Sequence, residues 1–213
     1  MIEVEIKSLL GEAEFAEKLR KKLPAPISSS KQINHYFIVP SRKDFREKLI
    51  DFIEDKELFD KIIQSTDLAV RTRYNEKNTF LILKASIDDT TSTNGRTRHE
   101  IEQKFDLSIN ELDELLLSVG CEYQAKWSRE REEFRRDNVA ITIDKNAGYG
   151  YISEFEIMVD SEEKVPQAKE KIYSLLKEFD LEELAPERLE RMFAYYIKHW
   201  DEYYNTEKTF VLE

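Results

Sequence analysis

The sequence predicts an α+β protein in which an eight-stranded antiparallel β-barrel forms a tunnel with a charged lumen, surrounded by helices. Eight segments alternate with the two-residue period that is typical of strands, and most connections between them are short. Several segments carry charges on one face, as in the run from Arg96 to Phe105, where the opposite face holds Thr97, His99, Ile101, Gln103 and Phe105. Five or six amphipathic helices need an apolar sheet surface to pack against, so the charged faces are predicted to point inward.

The strands are predicted from this alternation and from the turns between them. They cover residues 1–7, 31–39, 67–74, 79–86, 96–105, 122–136, 138–144 and 151–159. In the first strand, Ile2, Val4 and Ile6 lie on the face opposite the charges. Polar turns at 75–78 and 137–138 indicate two hairpins.

Helical spacing of apolar residues predicts the helices. They cover residues 11–23, 41–64, 109–119, 161–179 and 186–204. Segment 41–64 is either two short helices or one bent helix, inserted outside the sheet, and Ser108 with Glu111 forms a capping box. Because no linker rich in Pro or Gly divides the chain, one domain is predicted over 1–213. Its parts are a core at 1–160, the 41–64 insertion and C-terminal helices at 161–204.

Composition excludes several classes of partner. Charged residues make up 36% of the chain and the formal net charge is −11, which disfavours general binding to nucleic acid or to an anionic membrane. The single cysteine, Cys121, excludes an intrachain disulfide and is typical of a reducing compartment. The acidic N-terminus is unlike a signal peptide, and no apolar run approaches membrane-spanning length. A cytoplasmic location is predicted.

Both signs of charge alternate along the predicted inner face. It would hold Glu3, Glu5, Lys7, Arg71, Arg73, Lys84, Arg96, Arg98, Glu100, Glu102, Lys104, Arg129, Arg131, Asp144, Glu154 and Glu156. Isolated buried charges are costly, so these groups need partners. Lys and Arg bind phosphate oxygens, and carboxylates bind Mg²⁺ or Mn²⁺. A metal-bound polyphosphate is therefore predicted, with a charged but non-functional sheet face as the alternative.

Six motifs in this order resemble those of the CYTH superfamily, the triphosphate tunnel metalloenzymes, over residues 1 to about 160. They are Glu3-x-Glu5-x-Lys7, the pair Arg71 and Arg73, Lys84, Arg98-x-Glu100-x-Glu102, Arg129-x-Arg131-x-x-Phe134, and the ending Asp144, Gly150, Glu154 and Glu156. The chain departs from the family at residues 32–37, where many members have an Asp, in the 41–64 insertion, and in the long aromatic tail from Pro186. These departures leave the implied metal and phosphate chemistry intact, but they leave the identity of the substrate open.

The resemblance implies roles for individual residues. Phosphate would be bound by Lys7, Arg71, Arg73, Lys84, Arg98, Arg129 and Arg131; one or two divalent metals by Glu3, Glu5, Asp144, Glu154 and Glu156; Glu100 and Glu102 would support the basic residues or a metal. Of these, Lys7, Arg73, Glu5 and Glu156 are the expected catalytic residues.

Three functions remain open from the sequence. The first is a metal-dependent hydrolase of inorganic tripolyphosphate, a nucleoside triphosphate or thiamine triphosphate. The second is an adenylate cyclase resembling class IV, which makes cyclic AMP and pyrophosphate from ATP. The third is a non-catalytic module that binds polyphosphate or nucleotide. In each case the expected partner is a triphosphate-bearing small molecule, and no nucleic acid or membrane is expected. The sequence leaves the oligomeric state open between monomer and homodimer.

Overall fold

The computed structural model describes residues 2–86 and 97–212, without the side chains of Thr97 and Arg98. In chain order the elements are β1 Ile2–Gly11, α1 Ala13–Arg20, β2 Ser28–Ile38, α2 Arg42–Leu49, α3 Lys56–Gln64, β3 Ala69–Tyr74, β4 Thr79–Ser86, β5 Thr97–Phe105, α4 Ile109–Ser118, β6 Glu122–Arg136, β7 Val139–Asn146, β8 Gly150–Val159, α5 Val165–Phe179 and α6 Pro186–Tyr203. The strands are hydrogen-bonded in the order β1-β5-β4-β3-β2-β6-β7-β8, the order of a closed barrel. The predicted fold class is confirmed.

The predicted 41–64 segment is two helices, the first of the two alternatives. The side chain of Ser41 caps α2 by accepting from the backbone N–H of Asp44 at 3.3 Å, and Asp55 caps α3 by accepting from that of Leu58 at 2.9 Å. Each cap satisfies a backbone donor that a helix start leaves without an intrahelical partner. A second cap inside the segment is the local reason why one continuous helix does not form.

The chain divides into two compact units, and the first contains residues 2–31 and 128–212. In it, β8 pairs antiparallel with both β1 and β7, and β7 pairs with β6. Helices α1 and α5 cover one face of these strands. The buried residues there include Val4, Ile6 and Phe155 from the strands, and Ile172 and Phe179 from α5. Within this unit the apolar faces are covered by helices, as predicted.

In the same unit, the tail after α6 pairs with the loop between β7 and β8. Gly148 donates its N–H to the carbonyl of Lys208 at 3.0 Å, and its own carbonyl accepts from the N–H of Phe210 at 2.8 Å. The ring of Tyr149 packs against the rings of Tyr196 and Phe210, with centroids 5.6 and 5.3 Å apart. A Cβ on Gly148 would lie 2.8 Å from the Tyr196 ring, so only glycine fits this approach. Tyr196 of α6 therefore packs against the loop between β7 and β8.

The second unit contains residues 32–86 and 98–127 among those described. Here β3 pairs antiparallel with β2 and β4, and β4 pairs with β5. Helices α2, α3 and α4 cover one face, burying Phe45, Phe59 and Leu112 against strand residues such as Leu81 and Leu83. In this unit too, the apolar face is the covered one.

A buried carboxylate on α4 binds three strands of the second unit. Asp113 is 1% exposed, and its oxygens accept hydrogen bonds from the hydroxyls of Thr72 at 2.6 Å and Tyr123 at 2.8 Å. Its Oδ2 also lies 2.6 Å from Nδ1 of the buried His35. Since these partners come from β3, β6 and β2, one helical residue holds three strands together.

Across residues 2–86 and 97–212, no helix is long and apolar enough to cross a membrane.

Candidate active site

The charged face of the first unit begins with β1 and β8. Their register sets Lys7 directly opposite Glu154 and Glu5 directly opposite Glu156. Side chains at opposite positions are close enough to interact. The ammonium group of Lys7 accordingly donates to Oε1 of Glu154 at 2.6 Å and also to Oε1 of Glu5. One lysine thus joins carboxylates from two of the predicted motifs.

Two arginines of β6 continue the network through β7. Arg131, directly opposite Asp144, donates from Nε to Oδ1 at 2.7 Å and from Nη2 to Oδ2, so the pair is bidentate. Nη2 of Arg131 also donates to Glu154. Arg129 donates to Oδ2 of Asp144 at 3.0 Å, and the side chain of Asp144 is only 1% exposed. A chain of alternating charges therefore runs from Glu5 to Arg129 over four strands.

The ion pairs of the network keep both basic and acidic side chains ionised. Burial would raise the pKa of Glu154, but Lys7, Arg131 and Arg129 outweigh it and hold the pKa well below its ordinary range. Burial would likewise lower the pKa of Lys7, yet Glu154 and Glu5 raise it above the ordinary value. Asp144 and Glu154 raise the pKa of Arg131 against the same effect of burial. Lys7, Arg131 and Glu154 are thus charged at neutral pH.

Two further carboxylates, Glu3 and Glu156, lie on β1 and β8 beside Glu5 of this network. Glu5 and Glu156 are directly opposite, Glu3 is diagonal to Glu156, and Glu3 is 5% exposed. Opposed like charges are destabilising, and a hard cation with oxygen ligands relieves such repulsion. Among the described residues, no three or more His, Cys, Asp or Glu form a ready metal-holding group. Because Mg²⁺ often takes one or two carboxylates and completes its shell with waters and phosphates, the donor set fits a divalent ion shared with substrate.

The second unit carries the remaining predicted site residues on β3, β4 and β5. Arg73 donates from Nη1 to Oε2 of Glu102 at 3.2 Å, and the ammonium group of Lys84 lies 2.9 Å from Oε2 of Glu100. The register explains the second pair, since Lys84 is directly opposite Glu100. Both glutamates contact basic residues, and their supporting role stays a prediction.

Two residues that sequence reasoning did not select also contact the arginines of β3. Asn34 accepts from Nε of Arg73 at 3.2 Å, and the hydroxyl of Tyr36 accepts from Nη1 of Arg71 at 3.0 Å. The available signal was that Asn34 and Tyr36 share one face of β2. It did not identify their partners, because alternation within one strand does not give its register with the next.

A model of the CYTH domain matches residues 1–188 of the chain. The protein belongs to the CYTH domain family. No curated protein matches it in sequence.

Solved structures with the same fold include three of differing similarity to this CYTH chain. A protein of Pyrococcus horikoshii is 25% identical, with a TM-score of 0.62, covering 86% of this chain and 93% of that one. A protein of Vibrio parahaemolyticus named as a candidate adenylate cyclase is 15% identical, with a TM-score of 0.60 and coverages of 91% and 98%. A candidate adenylyl cyclase from Hippeastrum, described as having a dominant triphosphatase activity, is 16% identical, with a TM-score of 0.55 and coverages of 85% and 89%.

The CYTH-like motifs fall into two groups of contacts. The first unit brings together Glu3, Glu5, Lys7, Arg129, Arg131, Asp144, Glu154 and Glu156, and the second brings together Arg71, Arg73, Lys84, Glu100 and Glu102. The backbone of Arg98 lies in β5 opposite Ser86, but its side chain is outside the described part. Arg96 lies outside the described residues altogether. The individual roles of these residues stay predictions.

Proposed function

We propose that this CYTH protein is a divalent-metal-dependent hydrolase of triphosphate-bearing small molecules, such as inorganic tripolyphosphate, a nucleoside triphosphate or thiamine triphosphate. The observation that carries the proposal is the alternation of cations and carboxylates in contact, from Lys7 through Glu154 and Arg131 to Asp144. A site for an anion alone needs the cations, and a site for a metal alone needs the carboxylates. A metal–polyphosphate complex uses both.

Phosphate binding falls to the basic residues. In the first unit these are Lys7, Arg129 and Arg131, which are largely buried and charged. A phosphate oxygen can take over the hydrogen bonds that a carboxylate now accepts, because both are anionic oxygen acceptors. Substrate binding would thereby release carboxylate oxygens of Glu5 and Glu154 from Lys7. The exchange leaves each cation with an anionic partner, and a divalent metal would compensate the carboxylates that are released.

Metal binding falls to the carboxylates, with Glu3, Glu5 and Glu156 best placed because they adjoin one another on β1 and β8. Asp144 and Glu154, also predicted as ligands, contact arginine in this structure. When bound, Mg²⁺ or Mn²⁺ would polarise the phosphoryl group and position a water. The protein's own cations would hold the phosphate oxygens and offset the charge that they gain during hydrolysis.

Adenylate cyclase activity is the second candidate, because two of the similar structures carry that name. The two reactions share the phosphate and metal requirements and differ in the nucleophile. A hydrolase directs water at a phosphoryl group, whereas a cyclase directs the ribose 3′-hydroxyl of ATP at the α-phosphate.

Product analysis distinguishes these reactions. The protein is incubated with Mg²⁺ or Mn²⁺ and with tripolyphosphate, ATP or thiamine triphosphate. Release of inorganic phosphate is expected, whereas cyclic AMP with pyrophosphate from ATP would establish the cyclase. Binding of triphosphate without turnover by either metal would establish the non-catalytic module.

Substitution of a predicted metal ligand tests the site itself. Glu156→Gln is expected to abolish turnover, because it removes a charged oxygen ligand while preserving shape. Circular dichroism should show an unchanged fold. The matched control is Glu163→Gln, an exposed glutamate outside the site, which should retain full activity. Full activity of Glu156→Gln would refute the assignment of this residue.

A further inference from the structure

Strand β2 places two neutral side chains beside the two arginines of β3. The register sets Asn34 directly opposite Arg73 and Tyr36 directly opposite Arg71. Opposite residues of an antiparallel pair project from the same face, with their Cβ atoms about 5 Å apart. Each arginine therefore has one particular residue of β2 as its neighbour.

The contacts of Arg73 fix the plane of its guanidinium group. Asn34 accepts from Nε at 3.2 Å, while Nη1 donates to Glu102 at 3.2 Å. Two nitrogens of one planar group are thus held by acceptors on two different strands. Asn34 is 3% exposed, and a buried amide requires hydrogen bonds, so it cannot swing into water to release the arginine at low cost.

Arg71 contacts two parts of Tyr36. The hydroxyl accepts from Nη1 at 3.0 Å, and Cζ of the arginine lies 5.8 Å from the centroid of the tyrosine ring. The ring supplies a cation–π contact in addition to the hydrogen bond. Tyr36 is itself held in place by the buried Trp127, whose ring centroid is 5.9 Å away.

Both acceptors on β2 orient a cation without cancelling its charge. Asp144 of the first unit does the opposite, since it meets its arginines with a full negative charge. We propose that Asn34 and Tyr36 are positioning residues that aim Arg73 and Arg71 at the phosphate groups of the substrate. This proposal rests on the proposed function, because it requires that these arginines bind phosphate.

A double-mutant cycle on Tyr36 and Arg71 tests the proposal. The dissociation constant of inorganic tripolyphosphate is measured by calorimetry in EDTA, where the proposed metal-dependent hydrolysis does not proceed. Tyr36→Phe removes the acceptor and keeps the ring, and it should weaken binding about tenfold, as for a lost hydrogen bond to a charged group. In an Arg71→Ala background the same change should have less than a twofold effect, because no guanidinium remains to be aimed.

The matched control for the hydroxyl is Tyr173→Phe, which removes a tyrosine hydroxyl that donates to Glu183 on the surface. Its dissociation constant should equal that of the wild type.

A second variant tests whether the acceptor beside Arg73 must be uncharged, and this test does not depend on Tyr36. Asn34→Asp keeps an oxygen acceptor for Arg73 but adds a negative charge, so it should weaken tripolyphosphate binding about tenfold. Asn110→Asp adds the same charge at an exposed position of α4 and should change binding less than twofold. A pure scaffolding role for Asn34 predicts instead that the aspartate is tolerated.

The outcomes distinguish failure of the positioning role from failure of the proposed function. If Arg71→Ala binds tripolyphosphate as well as wild type, the phosphate role of β3 in the proposed function is wrong. If wild type does not bind tripolyphosphate without metal, Asn34 and Tyr36 do not prepare the arginines for phosphate, and the positioning role is wrong. If Arg71→Ala weakens binding while Tyr36→Phe does not, the positioning role is overturned and the proposed function stands. Additive effects in the cycle, or unchanged binding by Asn34→Asp, also overturn it.

Discussion

The backbone conformation at Gly150 and the close approach of a neighbouring strand require glycine at this position. Its φ of +72° lies in the left-handed region, and a Cβ built there would lie 2.6 Å from the carbonyl oxygen of Gly11. The pairing of β1 with β8 is irregular at this point, between Leu9 and Gly11. A side chain on Gly150 would therefore separate these two strands, whose other ends carry the predicted metal ligands.

We predict that Gly150→Ala lowers the free energy of unfolding by about 3 kcal/mol, from strain at positive φ plus displacement of the neighbouring strand. Denaturant unfolding measures the loss. Gly120→Ala is the matched control, because Gly120 has a φ of +84° with nothing within 4 Å of a Cβ. It should cost about 1 kcal/mol. Equal losses in the two variants would show that the close approach contributes nothing.

The buried surroundings of Cys121 determine the pKa and the reactivity of its thiol. The residue is 4% exposed, and burial raises the pKa of its thiol to about 11. An unfolded thiol ionises near pH 8.5, and the thiolate is the reactive form. Between these two values the unfolded state loses its proton first, so this group's contribution to stability falls as pH rises.

We predict that the native thiol is inert towards a disulfide exchange reagent at pH 8, because it is protonated and buried. In 6 M guanidinium chloride the thiol should react fully. The measurement is the rate of chromophore release from the reagent in each state. Reaction of the native protein at the rate of the denatured chain would contradict the burial of Cys121.

At the scale of elements, Asp113 couples α4 to three strands. Its hydrogen bond to Thr72 is notable because that residue lies between Arg71 and Arg73 on β3. The covered face of the strand is thus fixed where its charged face carries two arginines. Movement of α4 would be transmitted to both of them.

Asp113→Ala is expected to lower the free energy of unfolding by about 3 kcal/mol, since buried donors on Thr72 and Tyr123 lose their acceptor. Thermal or denaturant unfolding measures the change. The neighbouring, exposed Glu114 supplies the control, and Glu114→Ala should remain within about 0.5 kcal/mol of wild type. A similarly small effect at Asp113 would mean that the three contacts do not stabilise the fold.

Periodicity predicted which strand face is charged, because alternation is a local property of each segment. It did not predict that Lys7 meets Glu154 or that Arg131 meets Asp144. Those pairs depend on register between strands, which turns and packing decide. The burial of Asp113 was not predicted for a related reason. Asp113 is an acidic residue three positions after the exposed Asn110 in a helix that begins with a capping box, and nothing in that local pattern indicates burial.

At the scale of the whole molecule, buried apolar side chains among residues 2–86 and 97–212 form two separate hydrophobic clusters. Phe155 belongs to the cluster of the first unit and Phe59 to that of the second, and both are fully buried. Effects of residues without shared neighbours usually add.

We predict that Phe155→Leu and Phe59→Leu each lower the free energy of unfolding by about 1.5 kcal/mol, and that the double variant loses the sum to within about 0.5 kcal/mol. Denaturant titration of the four proteins gives the three differences. A double variant that loses clearly more or less than the sum would show energetic coupling between the clusters.

The charges on β1 and β8 also affect the register in which these two strands pair during folding. In the native register Lys7 meets a carboxylate, and one like-charge pair, Glu5 with Glu156, remains. A slip of two residues that moves Glu5 from Glu156 to Glu154 would preserve the covered apolar faces yet also set Glu3 against Glu156. That alternative has two repulsive pairs and no lysine to offset them. Charges proposed for catalysis therefore also disfavour this slipped pairing of β1 with β8 during refolding.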